Sequence, residues 1–252
     1  MKEEVAVRSL FQRIVIAVVL AASSLVFARS QADADNAWSV LPDVGGSQSY
    51  AAVEHFSVPG GVALPGSGPN LHNGHKAPHE QSGTLTVTRL GADATRVEAK
   101  DGLDAFDQTL HTDAQESITQ PSPGSPFVDL LENAAAIFSA APAGAHQGAQ
   151  WHATIAPPSW LSDNVNPLPK ELSSIPLTLT VGSVTGNTVN VHGDGKSQYT
   201  PGGEETISFS VAIDCTVRAG RFNSCTRSGV MGIAMRSGAA YDFTETTSLA
   251  PK

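Results

Sequence analysis

Apolar and polar residues alternate with a period of two along residues 205–218. Every odd position from Ile207 to Val217 is apolar, whereas the even positions between them are mostly small or polar. This pattern predicts a β-strand with one face buried and the other exposed to solvent.

The two cysteines of the chain fix how this strand pairs with the next one. Cys225 follows Cys215 by ten residues, with Gly220 midway between them. A hairpin that turns at Gly220 places the two sulfurs opposite each other, at a spacing that a disulfide spans. The same register sets Met231 across from Phe209, so the apolar faces agree with the cysteine pairing. We therefore predict a disulfide-bonded antiparallel hairpin.

Similar alternation predicts strands along much of the remaining chain. In the first of them, Glu54 interrupts an otherwise apolar face. A run rich in Pro and Gly, residues 59–83, predicts a long loop after it, and residues 157–176 predict a second irregular segment. The predicted strands cover residues 50–58, 84–90, 95–100, 105–112, 150–155, 177–191 (a hairpin that turns at Gly186) and 241–249.

One segment, residues 126–140, has the spacing of a helix. Ser125 is a suitable N-cap residue and Pro126 suits the first helical position. The apolar residues of the segment share one side, which predicts a helix that packs against the sheet. They are Phe127, Leu130, Leu131, Ala134, Ile137 and Phe138.

These elements predict an α+β fold made mainly of antiparallel strands, with a curved sheet or open half-barrel, one covering helix (about 126–140) and a C-terminal β-meander. The order of elements resembles the half-barrel of periplasmic lipoprotein carriers. The sequence Gly148-Ala149-Gln150-Trp151 resembles the Gly-x-x-Trp step that opens a late strand in exported bacterial proteins of unknown function. The resemblance covers residues 48–250 and is one of layout, so no functional residue is carried over from it. It implies a concave apolar face that the helix partly covers.

The N-terminus has the pattern of a secretory signal. Basic residues precede a charge-free apolar run, residues 14–28, which has the length of a signal-peptide core and is short for a membrane span. Small residues allow cleavage after Ala28 or Ala34, and an uncleaved anchor is the alternative. We predict a signal peptide (1–28), a flexible leader (29–48) and one β-rich domain (49–252) without a further membrane span. A disulfide in such a chain predicts a periplasmic or extracellular location.

Composition narrows the function further. The chain has 252 residues, 15 Lys and Arg against 24 Asp and Glu, and a formal net charge of −9. An acidic chain without a basic cluster is a poor binder of nucleic acid. No nucleophile elbow, His-Glu-x-x-His or Ser-x-x-Lys motif occurs in the sequence. Residues 193–197, Gly-Asp-Gly-Lys-Ser, lack the first Gly of a phosphate loop and are interpreted as a turn. We therefore expect no enzymatic activity and no obligatory cofactor.

Histidines are concentrated in the predicted loop. His72, His75, His79 and Glu80 lie within nine residues, and imidazole and carboxylate groups are ligands for zinc or copper. No predicted helix holds two of them on one face, so the alternative is a solvated loop that is rich in His.

The leading hypothesis is a binding protein for an apolar small molecule, acyl chain or protein client, because apolar pockets are the usual binding sites of such folds. Metal binding by residues 72–80 is the second hypothesis, and a structural or interaction domain without a small ligand is the third. In the first, the side chains that line the cleft are Phe127, Leu130, Leu131, Phe138 and Trp151.

Overall fold

The structure is a computed structural model. It describes residues 38–57, 70–71, 75–76, 79–101, 105–114, 116–118, 125–164, 167–200, 202, 205–238 and 240–252. The predicted signal peptide and residues 29–37 of the predicted leader lie outside the described residues.

Antiparallel strands dominate the described part of the chain. They are β1 (Ser47–Ser57), β2 (Asn70–Leu71), β3 (His75–Lys76), β4 (His79–Arg89), β5 (Ala94–Asp101), β6 (Ala105–His111), β7 (Gln150–Ile155), β8 (Ile175–Thr185), β9 (Thr188–Tyr199), β10 (Glu205–Arg218), β11 (Arg221–Met235) and β12 (Ala240–Pro251). The helices are α1 (Pro126–Ser139), α2 (Ser159–Asn164) and a 3-10 turn, Lys170–Leu172.

Ten of these strands form one antiparallel sheet in the order β6-β5-β4-β1-β12-β11-β10-β9-β8-β7, and β2 pairs with β3 separately. The sheet is curved and does not close into a barrel, because β6 and β7 remain its two edges. Helix α1 follows β6 in the chain and packs against β7, β12, β11 and β1. The predicted α+β class, the curved sheet and the covering helix are therefore confirmed.

The bonded hairpin has the predicted register. Cys215 pairs with Cys225 in a disulfide, and Phe209 pairs with Met231. Gly220 adopts a positive φ of 77° at the turn, a conformation that glycine tolerates without strain. Closing this loop contributes about 2.5–3 kcal/mol in the chain-entropy account.

Glycines on the inner face of β9 let its neighbours pack closely. A Cβ atom at Gly193 would lie 2.7 Å from a methyl group of Leu179, and one at Gly195 would lie 2.3 Å from the carbonyl oxygen of Pro176. The segment 193–197, interpreted as a turn from its sequence, is therefore part of a strand: the glycines provide space beneath large side chains rather than a change of chain direction.

Three sequence-based boundaries also differ from the structure. Residues 38–48, assigned to the flexible leader, pack on the domain, where Val40 and Leu41 are buried. Within the predicted loop 59–83, β4 begins at His79, because its pairing with β1 extends to Phe56. Helix α1 ends one residue before its predicted end, and the side chain of Ser125 makes no cap hydrogen bond.

Candidate functional site between helix α1 and the sheet

The five side chains predicted to line a cleft meet in one cluster. Phe127, Leu130 and Leu131 are fully buried, Phe138 is 1% exposed and Trp151 is 8% exposed. The indole N–H of Trp151 on β7 donates to the carbonyl oxygen of Ile137 on α1, at 3.1 Å. The amphipathic pattern of the helix therefore brings its apolar side onto the concave face, and in this conformation the two surfaces cover each other.

A row of polar side chains crosses the concave face beneath α1. Direct strand pairing aligns Gln81 on β4, Glu54 on β1, Thr247 on β12 and Arg227 on β11. All four are buried, and Gln81 donates to a carboxylate oxygen of Glu54 at 2.7 Å. We call these four residues the polar row. It lies inside an apolar core, so each of its groups needs a partner within the protein.

Arg227 is the centre of the charged part of this site. Its guanidinium donates to the Glu245 carboxylate and, at 2.9 Å, to the side-chain oxygen of Asn133 on α1. Burial acts to lower the pKa of Arg227, but the carboxylates of Glu245, Asp129 and Glu54 outweigh it and raise that pKa. The Nε atom of Arg227 is buried and has no hydrogen-bond partner among the described residues.

The segment around α2 closes one side of the site with hydrogen-bond donors. The backbone N–H and the hydroxyl of Ser159 donate to Asp129 on α1, at 2.8 and 2.9 Å. The indole N–H of Trp160 donates to Glu245 at 2.9 Å, and its ring packs edge-on against Phe56 with centroids 5.0 Å apart. Two carboxylates of the site are thus hydrogen-bonded by adjacent residues of one segment.

Several aromatic side chains occupy the other side of the site. The Trp38 ring packs edge-on against Phe138 and Trp151, with centroids 5.7 and 5.8 Å away. Phe138 contacts Phe222 at 6.2 Å, and Phe222 contacts Tyr50 at 5.2 Å. We call the series Trp38, Phe138, Phe222 and Tyr50 the aromatic path, because it leads from a half-exposed side chain to a fully buried one.

The polar row was missed by the sequence analysis although its pattern is present in the sequence. Glu54 stands between the inward residues Ala52 and Phe56, and was interpreted as an interruption of the strand. Arg227 stands two positions after the inward Cys225, so alternation alone places it on the buried face. A charged residue at an inward position is the feature that could have identified the site.

The structure describes only some of the side chains predicted to bind a metal. His72 lies outside the described residues, and the side chains of His75 on β3 and His79 on β4 do so too. Glu80 is exposed, with a carboxylate oxygen 3.7 Å from a ring nitrogen of His55. No group of three or more His, Cys, Asp or Glu side chains that could hold a metal ion occurs within the described ranges. Metal binding by residues 72–80 stays a prediction.

The outer face of the sheet carries two depressions that are open to solvent. One, of about 600 Å³, is lined in part by His152, Thr178 and Lys196. The other, of about 290 Å³, is lined in part by Asn190 and His192. None of the five predicted cleft residues lines either of them.

A histidine on this outer face is held between two carboxylates. His192 Nδ1 lies 2.8 Å from Asp214, and its Nε2 lies 2.8 Å from Asp194. Only the imidazolium donates from both ring nitrogens. The hydrogen bond to Asp214 raises the pKa of His192, and the hydrogen bond to Asp194 and the charge of Asp194 raise it further. Together they outweigh the slight burial of the ring, which acts to lower the pKa.

We expect His192 to titrate above its ordinary pKa of about 6.5. A histidine whose pKa is higher in the folded protein than in the unfolded chain stabilises the folded state while it is protonated. This stabilisation is fully present at pH values below the pKa in the unfolded chain, and it is lost as the pH rises through the pKa in the folded protein. Asp214→Asn should therefore destabilise the protein below about pH 6.5 and have less effect at high pH. NMR titration of the His192 ring checks this, with Asp194→Asn expected to lower the pKa less. A wild-type pKa at or below the ordinary value contradicts the prediction.

Comparisons with known proteins do not identify a family. No family model matches the chain, and no curated protein matches it. A solved structure of a protein of unknown function from the DUF3598 family of Nostoc punctiforme aligns at 8% identity, over 82% of this chain and 96% of that chain, with a TM-score of 0.19. An inactive mutant of the CurJ dehydratase in complex with a compound aligns at 9% identity, over 80% and 75%, with a TM-score of 0.12.

Both TM-scores are low, so neither alignment carries an argument about this chain. The order of elements in the sequence predicts a likeness in layout to proteins of unknown function, and the first alignment is with such a protein. Any functional conclusion therefore depends on the site itself.

Proposed function

We propose that this protein is an exported, non-catalytic binding protein that holds an apolar ligand between helix α1 and the concave face of its sheet. The ligand is a lipid, an acyl chain or an apolar segment of a protein client. The observation that carries the proposal is the way α1 is held: an apolar helix fills the concavity of a sheet that does not close around it.

The contacts of α1 make it suitable as a movable cover. Most of its buried side chains are apolar, and apolar contacts are not directional. An apolar ligand therefore replaces them at little cost if the helix shifts, since the same surface stays out of water. The polar contacts of Asp129 and Asn133 on α1 define the closed position to which the helix returns.

The buried charged groups are more typical of a functional site than of a purely structural core. A buried ion pair such as Arg227–Glu245 is seldom more stabilising than apolar residues of the same volume. Clusters of buried ionisable groups are, in contrast, common at functional sites. We take the polar row and Glu245 as the part of the cleft that orients a ligand.

Export is part of the proposal. The pattern of residues 1–28 and the Cys215–Cys225 disulfide both support an oxidising location outside the cytoplasm. Among the described helices, none has the length and apolar character needed to cross a membrane.

A structural or interaction domain without a small ligand is the second candidate. The burial of all five cleft residues favours it, because a filled core needs no ligand. The two candidates differ in whether the interface between α1 and the sheet takes up an apolar molecule.

Titration of the protein with the fluorescent fatty acid cis-parinaric acid tests the proposal. We expect saturable binding of one probe per chain and displacement by an unlabelled acyl chain. Ala134→Leu adds carbon atoms to the buried side of α1 and should weaken binding, whereas Ala136→Leu makes the same change at a less buried position of the helix and should not. The absence of saturable uptake by the folded wild-type protein would overturn the proposal in favour of the second candidate.

A further inference from the structure

Strand β6 forms one of the two open edges of the sheet. Among the described strands it has one neighbour, β5. The Thr112 N–H donates to the carbonyl oxygen of Asp93 across from it, so these two residues are a hydrogen-bonded pair. Bonded and non-bonded pairs alternate along antiparallel strands, so Asp107 and Thr109 direct their backbone N–H and C=O groups away from β5. Such an edge is a template for a further strand.

The features that usually protect an edge strand are weak in β6. Proline, lysine, outward charges and bulges are the common protections. Residues 105–111 contain no proline or lysine, and they keep one register with β5 throughout. The carboxylate of Asp107 turns back onto β5, where Arg96 donates to its two oxygens at 3.0 and 2.8 Å. At the C-terminal end Thr112 bridges to Ile118, so the open part of the edge is the middle of β6.

The inner side of β6 is incompletely covered. Pairing with Val97 and Ala99 on β5 directs Phe106, Gln108 and Leu110 to the concave face. Leu110 is buried, but Phe106 is half-buried and Gln108 is exposed. A strand added at this edge would therefore place its own inward side chains beside an apolar ring that is still partly in water.

The sequence of β6 is self-complementary about Gln108. Two copies related by a two-fold axis pair antiparallel, with Gln108 opposite itself. This register places Phe106 opposite Leu110 of the second copy, and by symmetry it does so twice. Asp107 then lies opposite Thr109 of the second copy, and these are the residues whose backbone groups face the edge. The two amides, and the hydroxyl with the carboxylate, are matched donors and acceptors.

The local charge does not oppose contact between two copies. The chain as a whole is acidic, with a formal net charge of −9. Residues 94–100 of β5 and residues 105–111 of β6, in contrast, contain two basic and two acidic side chains, namely Arg96, Lys100, Glu98 and Asp107. A second copy therefore meets a neutral part of an acidic protein.

We propose that this protein forms a two-fold symmetric dimer in which β6 pairs with β6 of a second copy. The pairing joins the two sheets into one and continues the concave face from one copy into the other. Each copy contributes its Leu110 to the inner face of the other, where it covers Phe106. The dimer is independent of the proposed function, because the contact is the same with or without an apolar ligand.

Sedimentation velocity of the purified protein over a range of concentrations tests the dimer. Gln108→Glu and Gln108→Lys each place two like charges opposite each other, so each should raise the dissociation constant of the dimer about fivefold or more. Because Gln108 is exposed, urea unfolding should show that both variants stay folded. A mixture of the two variants places Glu opposite Lys and should associate more tightly than either variant alone.

A proline substitution tests the backbone hydrogen bonds of the same contact. Thr109→Pro removes an N–H that faces the free edge and leaves the pairing with β5 intact, so it should also weaken the dimer. Thr154→Pro is the matched control on the other edge strand, β7. The Val181 N–H donates to the Ala149 carbonyl oxygen, and alternation from that pair directs the N–H of Thr154 to the free edge of β7. The control should leave the dimer unchanged.

Gln150→Glu, at an exposed position of β7, is the corresponding control for Gln108→Glu and should have no effect on association. A wild-type protein that sediments as a monomer at every concentration overturns the proposal. A dimer that is weakened by the changes on β7 rather than by those on β6 overturns it as well, and so does a mixture of Gln108→Glu and Gln108→Lys that associates no better than its components.

Discussion

Replacing Arg227 by methionine is expected to lower the free energy of unfolding by about 3–5 kcal/mol. The substitution keeps a long apolar side chain but removes the guanidinium that pairs with the buried Glu245 carboxylate. Asp129 and Glu54 also lie near enough to raise the pKa of Arg227. Without Arg227, negative charge stays in the core with no positive partner, which is the costly outcome for a buried pair.

Urea unfolding followed by far-UV circular dichroism measures this effect. The double variant Arg227→Met with Glu245→Gln should be more stable than Arg227→Met by more than about 1 kcal/mol, because the amide still accepts hydrogen bonds without carrying charge. Arg96→Met is the matched control: Arg96 pairs with Asp107 on the outer face, where solvent screens the charges. A loss for Arg227→Met no larger than that of the control contradicts the prediction.

The sequence was sufficient for the framework because the framework depends on local patterns. Alternation in the strand that contains Phe209 gave the buried face, and the two cysteines gave the register of its partner. Helical spacing of apolar residues after Pro126 gave α1 to within one residue of its end. Each of these features is encoded within about fifteen residues. Over that length, the spacing of apolar residues distinguishes a strand from a helix, because side chains return to the same face about every 2 residues in a strand and about every 3.6 in a helix.

The polar site depends on pairings between distant parts of the chain, which no local pattern encodes. Arg227 meets Glu245 because β11 and β12 are neighbours, and meets Asn133 because α1 crosses both strands. Glu54 belongs to the same row through pairing of β1 with β12, almost 200 residues apart in the sequence. Its burial was predictable from alternation, but its partners were not.

The segment at residues 38–41 shows a similar limit. Residues 38–48 were assigned to a flexible leader, yet Trp38, Val40 and Leu41 pack on the core. What orders them is the carboxylate of Glu116, more than 70 residues away, which accepts hydrogen bonds from their backbone. Composition does not report contacts of this kind, because any sequence offers the same N–H groups.

The closing segment at α2 gives the second large effect. Trp160→Ala is expected to lower the free energy of unfolding by about 3–5 kcal/mol, because Trp160 is among the largest fully buried side chains of the protein and its loss leaves a cavity. Its ring packs against Phe56 and Phe209, and its N–H donates to Glu245. The substitution therefore removes apolar contacts and one hydrogen bond to a buried carboxylate together.

Trp160→Phe separates the two contributions. A phenyl ring keeps much of the contact with Phe56 and Phe209 but offers no N–H to Glu245, so we expect a loss of about 1.5–3 kcal/mol, the range for a hydrogen bond to a charged group. Ser159→Ala removes the hydroxyl bond to Asp129 and keeps the backbone one, and should cost less than either change at Trp160. Far-UV circular dichroism during urea unfolding measures all three without relying on the tryptophan that is changed. Equal stability of Trp160→Phe and the wild type would show that the indole N–H contributes nothing to holding α2 against Glu245, and the segment would then close the site through apolar packing alone.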